Sequence, residues 1–175
     1  MDATTPTMSD LEIVPLTKSH LRRVMRIDAE VYPMPWSRKL WLAELDRDER
    51  LYLVATQGQQ IVGYVGALFA LEDVHVVTIV TRPGCHRRGI GTRLLLEVVQ
   101  QSIEHGCNAL TLEVRISNEP AQALYKRFGL VPAGVRRGYY EPDDEDALVM
   151  WARDIDTPRY RDRMERLMHE LEAAA

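Results

Sequence analysis

Cysteine is scarce in this chain: of 175 residues only Cys85 and Cys107 are cysteine, and they form no Cys-x-x-Cys pair. With no export signal ahead of them they read as free thiols, which argues against a structural disulfide or a zinc site, and no metal is expected. An excess of basic charge is also lacking. A net charge of −4 and a pI near 5.8 argue against direct nucleic-acid binding, although the 22 basic residues are arginine except for Lys18, Lys39 and Lys126. Apolar runs fall far short of the roughly 20 residues of a membrane helix, and residues 1–10 lack the basic and apolar regions of a signal peptide. The expectation is a cytoplasmic protein with no membrane partner. Two nucleotide signatures are missing as well. No Gly-x-x-x-x-Gly-Lys-Ser/Thr occurs, and no third glycine follows Gly89 and Gly91 at the dinucleotide-binding spacing, which disfavours ATP and NAD.

What is present suits one domain with one substantial core: 46% of the residues are apolar and 27% charged. Residues 1–10 read as a disordered tail and residues 11–15 as a first strand. Leu21, Val24, Ile27 and Val31 mark a helix capped by Thr17 or Ser19 and stopped by Pro33. Ser37 caps a second helix carrying Leu40, Trp41, Glu44 and Leu45. Strands follow over residues 51–56 and 60–69, turned at Gln57-Gly58-Gln59, with Gly63 and Gly66 marking a bulge or a close backbone approach. A β-branched strand over 74–81 ends at Pro83-Gly84. Leu95, Val98, Val99 and Ile103 then repeat at helical spacing, and Gly106 stops that helix. Leu110, Leu112 and Val114 alternate with Thr111, Glu113 and Arg115, so Glu113 points away from the leucines. Asn118 or Ser117 caps a short helix of Ala121, Leu124, Tyr125 and Phe128, with Pro120 in its first turn. Residues 130–137 and 147–152 read as closing strands, joined by the aromatic and acidic linker 138–146. Thr157-Pro158 starts a last helix striped by Tyr160, Met164, Leu167 and Leu171, which can dock on the domain or on a second copy. The order predicts a single mixed α/β sheet over residues 11–155 plus a C-terminal helix over 156–175.

The stretch His86-Arg87-Arg88-Gly89-Ile90-Gly91-Thr92-Arg93 lies between a strand and a helix. A helix N-terminus presents unpaired N–H groups and a partial positive charge, and two glycines let a phosphate approach the backbone. Alone, the glycine pair also reads as a surface turn. In its strand-to-helix setting it reads as an anion site.

The segment resembles motif A of the GNAT N-acetyltransferase superfamily, Gln/Arg-x-x-Gly-x-Gly/Ala, with His86 where that family has Gln or Arg. Leu112-Glu113-Val114-Arg115, Ser117-Asn118, Ala123-Leu124-Tyr125, Arg137-Gly138-Tyr139-Tyr140 and Glu145-Asp146-Ala147 are similar to its RimI type, the N-terminal alanine acetyltransferases of a small-subunit ribosomal protein. The likeness spans residues 11–152 and implies a GNAT fold, a mostly antiparallel central sheet flanked by helices. It also implies acetyl-CoA as cosubstrate, held by backbone amides of Arg87, Arg88, Gly89, Ile90, Gly91, Thr92 and Arg93, by the strand Ile79, Val80, Thr81, and by Asn118.

The same resemblance makes Glu113 the general base, direct or through water, and Tyr125 the general acid for the CoA thiolate. Read from spacing alone, Glu113 is a strand carboxylate paired with Arg115 or another cation, Tyr125 a core aromatic, and Asn118 a helix cap. Tyr139 and Tyr140 resemble a pair that holds the acceptor peptide, against a reading as exposed hairpin aromatics. Tyr32, Pro35 and Trp36 form a stiff linker, either a packed corner or a substrate-facing wall. The acidic run 141–146 reads as solvated. The expected function is acetyl transfer to a protein N-terminal amine by a monomer or weak dimer. Lysine or small-amine acetylation, and a non-catalytic acetyl-CoA sensor, stand as alternatives.

Overall fold

The structure is a computed structural model and describes residues 11–174; the expected tail, residues 1–10, lies outside them. In chain order the elements are β1 (Leu11–Pro15), α1 (Leu21–Val31), α2 (Arg38–Leu45), β2 (Arg50–Gln57), β3 (Gln60–Ala70), β4 (Asp73–Thr81), α3 (Ile90–Glu104), β5 (Ala109–Arg115), α4 (Glu119–Arg127), β6 (Val131–Tyr140), β7 (Glu145–Arg153) and α5 (Pro158–Ala173). The strands form one sheet in the order β1-β2-β3-β4-β5-β7-β6. Every neighbouring pair is antiparallel except β4 and β5, whose parallel crossover is α3.

Two apolar clusters cover the sheet. One joins Val74 and Val76 of β4 and Leu110, Leu112 and Val114 of β5 to α3, α4 and α5, with Leu94, Leu95 and Phe128 fully buried. The other sets Leu21, Val24 and Ile27 of α1 and Trp41 of α2 against Tyr52, Tyr64 and Val80. The C-terminal stripe faces the domain's own core: Tyr160 and Leu167 are buried, Met164 and Leu171 pack beside them, and the Tyr160 hydroxyl donates to the Phe128 carbonyl at 2.6 Å.

Several local expectations are revised. Ser37 does cap α2 and Thr157 caps α5, but neither Thr17 nor Ser19 caps α1. Those two hydroxyls bond each other at 2.8 Å, and His20 takes the cap position while its Nδ1 accepts from the Thr17 amide. The last hairpin is tighter than its composition suggests. Tyr139 and Tyr140 belong to β6, and Tyr140 pairs with Glu145, so the turn shrinks to residues 141–144.

Both strand glycines mark crowding. A methyl added at Gly63 would come 2.7 Å from the Val80 carbonyl oxygen, and one at Gly66 would overlap the Tyr52 ring. Gly66 also adjoins a β-bulge: Gly66 faces Thr78 and Ala67 faces Val76, leaving Val77 as the extra residue of β4. An extra residue shifts the side-chain alternation by one. Thus Val76 enters the first apolar cluster, whereas Val80, four residues on, enters the second.

Candidate active site

The parallel pairing of β4 with β5 runs only from Asp73↔Ala109 to Val76↔Leu112. Past the Val77 bulge the strands diverge, and a cleft of about 270 Å³ opens between Thr78–Ile79 on one side and Glu113–Arg115 on the other. Antiparallel ladders alternate the direction of their backbone groups. Because the Arg82 amide donates to the Val62 carbonyl at 2.9 Å, Val80 and Thr78 turn their backbone groups to β3, and Ile79 and Thr81 turn theirs to the divergence. Of the expected trio Ile79, Val80 and Thr81, the central residue therefore buries its side chain under α1 and α2 and bonds the sheet.

At the end of this edge the loop turns sharply, with Arg87 (φ 60°) and Gly89 (φ 72°) both left-handed. Gly89 is the cap of α3, no acidic residue lies in the first turn, and the Arg93 amide is the first to reach back to the Gly89 carbonyl, at 3.0 Å. The amides of Gly89 to Thr92 thus precede the helical ladder. His86 Nε2 donates to the Thr81 carbonyl at 3.1 Å and pins the loop to β4. The Arg88 guanidinium reaches Gln57, 3.1 Å away, whereas Arg93 Nε is buried and lacks a hydrogen-bond partner among the described residues.

Glu113 lines the cleft with its side chain only 7% exposed. It does not pair with Arg115. His75 Nε2 lies 2.8 Å from one carboxylate oxygen and Arg136 Nε 3.1 Å from the other. Tyr125, on α4, is buried in the first cluster and also lines the cleft; desolvation, then the neighbouring Tyr32 and Tyr140, raise its hydroxyl well above the ordinary phenol value. Asn118 both caps and lines. Its Oδ1 accepts from the Ala121 amide at 3.2 Å, which leaves the Nδ2 donors toward the cleft.

The opposite wall is aromatic. Tyr32 donates or accepts across 2.9 Å with Thr78 Oγ1, and Met34 and Trp36 reach the cleft whereas Pro35 does not line it. Below them Asp28 is 2% exposed and accepts from Trp41 Nε1 at 2.9 Å and from the Tyr64 hydroxyl. On the far side Tyr140 lines the cleft, and Tyr139 meets it edge-on from outside, with ring centroids 5.1 Å apart. The acidic run is not merely solvated. Glu145 accepts from both the Ser117 hydroxyl and amide and from Arg115, which hold its carboxyl down to about 2, while Asp146 accepts from the Gly138 amide. Arg115 in turn sits 4.4 Å above the Tyr140 ring.

A split sheet, an amide cradle at a helix start, and a carboxylate and a phenol on one cleft can serve acyl transfer. Comparison with known proteins settles the family: residues 21–130 match the Acetyltransferase (GNAT) family. The chain belongs to it. Over 129 residues it is 36% identical to the putative [ribosomal protein bS18]-alanine N-acetyltransferase of Bacillus subtilis (strain 168), covering 73% of this chain and 85% of that one. It is 31% identical over 146 residues to the [ribosomal protein bS18]-alanine N-acetyltransferase of Escherichia coli (strain K12), covering 82% and 95%. The crystal structure of the ribosomal-protein-S18-alanine N-acetyltransferase from Escherichia coli superposes with a TM-score of 0.75 at 29% identity, over 82% of this chain and 94% of that one.

As a GNAT acetyltransferase the protein uses acetyl-CoA, and its residues fit that ligand: an opened strand edge, a cradle of unpaired amides and a buried, unpartnered Arg93 Nε. Among the described residues no group of three or more His, Cys, Asp or Glu is placed to hold a metal. Sequence reading passed over His75, Arg136, Thr78 and Asp28. Two carried a signal: His75 is a polar break in the apolar run of β4, and Asp28 falls on the buried stripe of α1, four residues after Val24.

Proposed function

We propose that this GNAT enzyme acetylates the α-amine of a protein N-terminus, and that a chain end beginning with alanine, as on ribosomal protein bS18, is its acceptor. The observation that carries the reading is the cleft wall: Tyr32, Met34, Trp36 and Tyr140 line one cleft together with Glu113. A cleft walled by aromatic rings suits an extended chain end. Relatives 31–36% identical over most of their length carry that same activity in their names.

Acetyl-CoA supplies the thioester from which the acetyl group is transferred. The backbone of Ile79 and Thr81 and the Asn118 amide hold its arm, and the amides of Gly89 to Thr92, ahead of the α3 ladder, hold its phosphates. Glu113 takes the proton of the incoming ammonium, directly or through water. An α-amine with a pKa near 8 is about a tenth neutral at pH 7, and a lysine near 10.4 well under a thousandth, so a carboxylate base suits the first. Tyr125 keeps its proton until charge develops on the departing sulfur. A phenol raised by burial stands further from a thiol than an ordinary one does, so donation of a hydrogen bond precedes full transfer. Tyr139 backs Tyr140 and orders the wall. The enzyme works in the cytoplasm, as a monomer or weak dimer, with no nucleic-acid contact of its own.

The test is a competition at equal concentration between an Ala-starting peptide and the same peptide with a blocked N-terminus and one lysine, read by mass spectrometry. Acetylation at the free N-terminus should dominate. Equal or faster modification of the blocked peptide would overturn the N-terminal reading in favour of a lysine acceptor.

A further inference from the structure

The proposed base has an ionisable neighbour that the reaction scheme above leaves unused. His75 stands on the last rungs of β4 before the divergence, opposite Thr111 in register, with Glu113 diagonal to it on β5. Its Nε2 lies 2.8 Å from Glu113 Oε2, and its side chain is 25% exposed where that of Glu113 is 7% exposed. From β6, Arg136 Nε holds the other oxygen at 3.1 Å while its guanidinium rests 5.6 Å from the centre of the Tyr139 ring. The other titratable groups facing the pair are Tyr139 and Tyr140, whose hydroxyls the Glu113 charge helps to raise. Asp73, two residues back along β4, lies toward Cys107 at the other end of the strand.

We propose that His75 is a positioning residue that sets the basicity of Glu113 and turns the enzyme down in acid; the inference rests on Glu113 being the base. With Nε2 2.8 Å from Oε2 and Arg136 Nε 3.1 Å from Oε1, a neutral ring protonated at Nε2 steadies one oxygen and the arginine the other, and each oxygen keeps a lone pair for the cleft. When the ring takes a second proton, at Nδ1 and from solvent, a full positive charge stands beside a carboxylate already paired with one arginine. The carboxylate becomes a weaker acceptor for the ammonium proton. Histidine is the side chain whose ordinary charge change falls between about pH 5 and 8.

The experiment compares His75→Gln, His75→Leu and wild type from pH 8 to pH 5.5 with one Ala-starting peptide, so that titration of the amine is common to all three. Glutamine keeps an N–H donor of similar reach and carries no charge. At pH 8 His75→Leu should lose roughly tenfold in kcat with its KM for acetyl-CoA unchanged, and His75→Gln should recover most of that loss. The ratio of His75→Gln to wild type should then climb by about tenfold as the pH falls to 5.5, the effect of about one unit of basicity. A ratio constant with pH overturns the inference. A measurement on the unaltered protein stands beside it: nitrogen NMR of the histidine rings at pH 8 should find His75 protonated at Nε2, and a ring protonated only at Nδ1 overturns the inference even if the variants do not fold. Glu113→Gln separates the two layers. If it turns over like wild type the base assignment fails; if it is inactive while the His75→Gln ratio stays flat, the assignment stands and the role of His75 falls.

Discussion

Removing one oxygen atom from Tyr125 tests the acid. Tyr125→Phe keeps a ring that is 5% exposed and packed among the first apolar cluster, so folding should change by about 1 kcal/mol or less. The hydroxyl faces the cleft, and neither the helix nor the cap of α4 depends on it. General acids contribute typically 10²–10⁴-fold, and because burial makes this phenol a weaker acid than usual, the lower end applies: a loss in kcat of roughly 10², or about 2.7 kcal/mol. The sign of the shift adds a second expectation. A raised value keeps the hydroxyl protonated throughout the range from pH 6 to 9, so the wild-type to variant ratio should be flat there. The assay is steady-state CoA release at saturating peptide, with acetyl-CoA affinity measured by titration calorimetry. Unchanged affinity with lowered kcat identifies a role in the chemical step. Turnover within threefold of wild type would refute the reasoning and leave Tyr125 a packing residue.

Gly91→Glu should weaken acetyl-CoA binding by tenfold or more, since it places bulk and negative charge beside Thr81 and Leu124 at the start of α3; calorimetry on the folded variant checks it. Glu145 is held down to about 2 from an ordinary 4.5, so its bracing of the last hairpin is fully present above pH 4.5 and lost as the pH falls toward 2. Glu145→Gln should remove that part of the acid dependence, visible as a smaller drop in Tm between pH 5 and pH 2.5. Truncation after Asp156 should cost about 3–6 kcal/mol from the burial of Tyr160 and Leu167 alone, enough to unfold a domain of ordinary stability. A truncated chain that melts as wild type does would show that α5 is an appendage.

The order of elements was legible because most helices are locally punctuated: Ser37, Thr157 and Asn118 cap where they should, and Gly106 stops α3. The sharp loop that opens α3 was legible for the same reason, being eight consecutive residues. What escaped was long-range. Nothing local links His75 on β4 to Arg136 on β6; they meet only because the order β4-β5-β7-β6 sets both against Glu113. The hairpin was misplaced because Tyr139, Tyr140 and the acidic residues after them look like a loop, while pairing to β7 overrides local preference. Asn118 was split between two roles because a sequence symbol hides the fact that an amide has a donor end and an acceptor end.

The bulge at Val77 makes the length of β4, more than its composition, the quantity that selection must guard. Delete Val77 and the ladder with Gly66 and Ala67 closes in regular register, with Thr78 still opposite Gly66 and Val80 still opposite Tyr64, so the sides are kept but the bulge at which β4 leaves β5 is lost. Delete Ile79 instead and Val80 would move opposite Val65, presenting its side chain to the α3 cluster. A turn such as Gln57-Gly58-Gln59 can absorb a change of length, because nothing downstream counts from it once the strands have paired. In β4 the count is the message: related chains should vary freely in which β-branched residues fill this strand, and hardly at all in how many there are between Asp73 and the glycine loop.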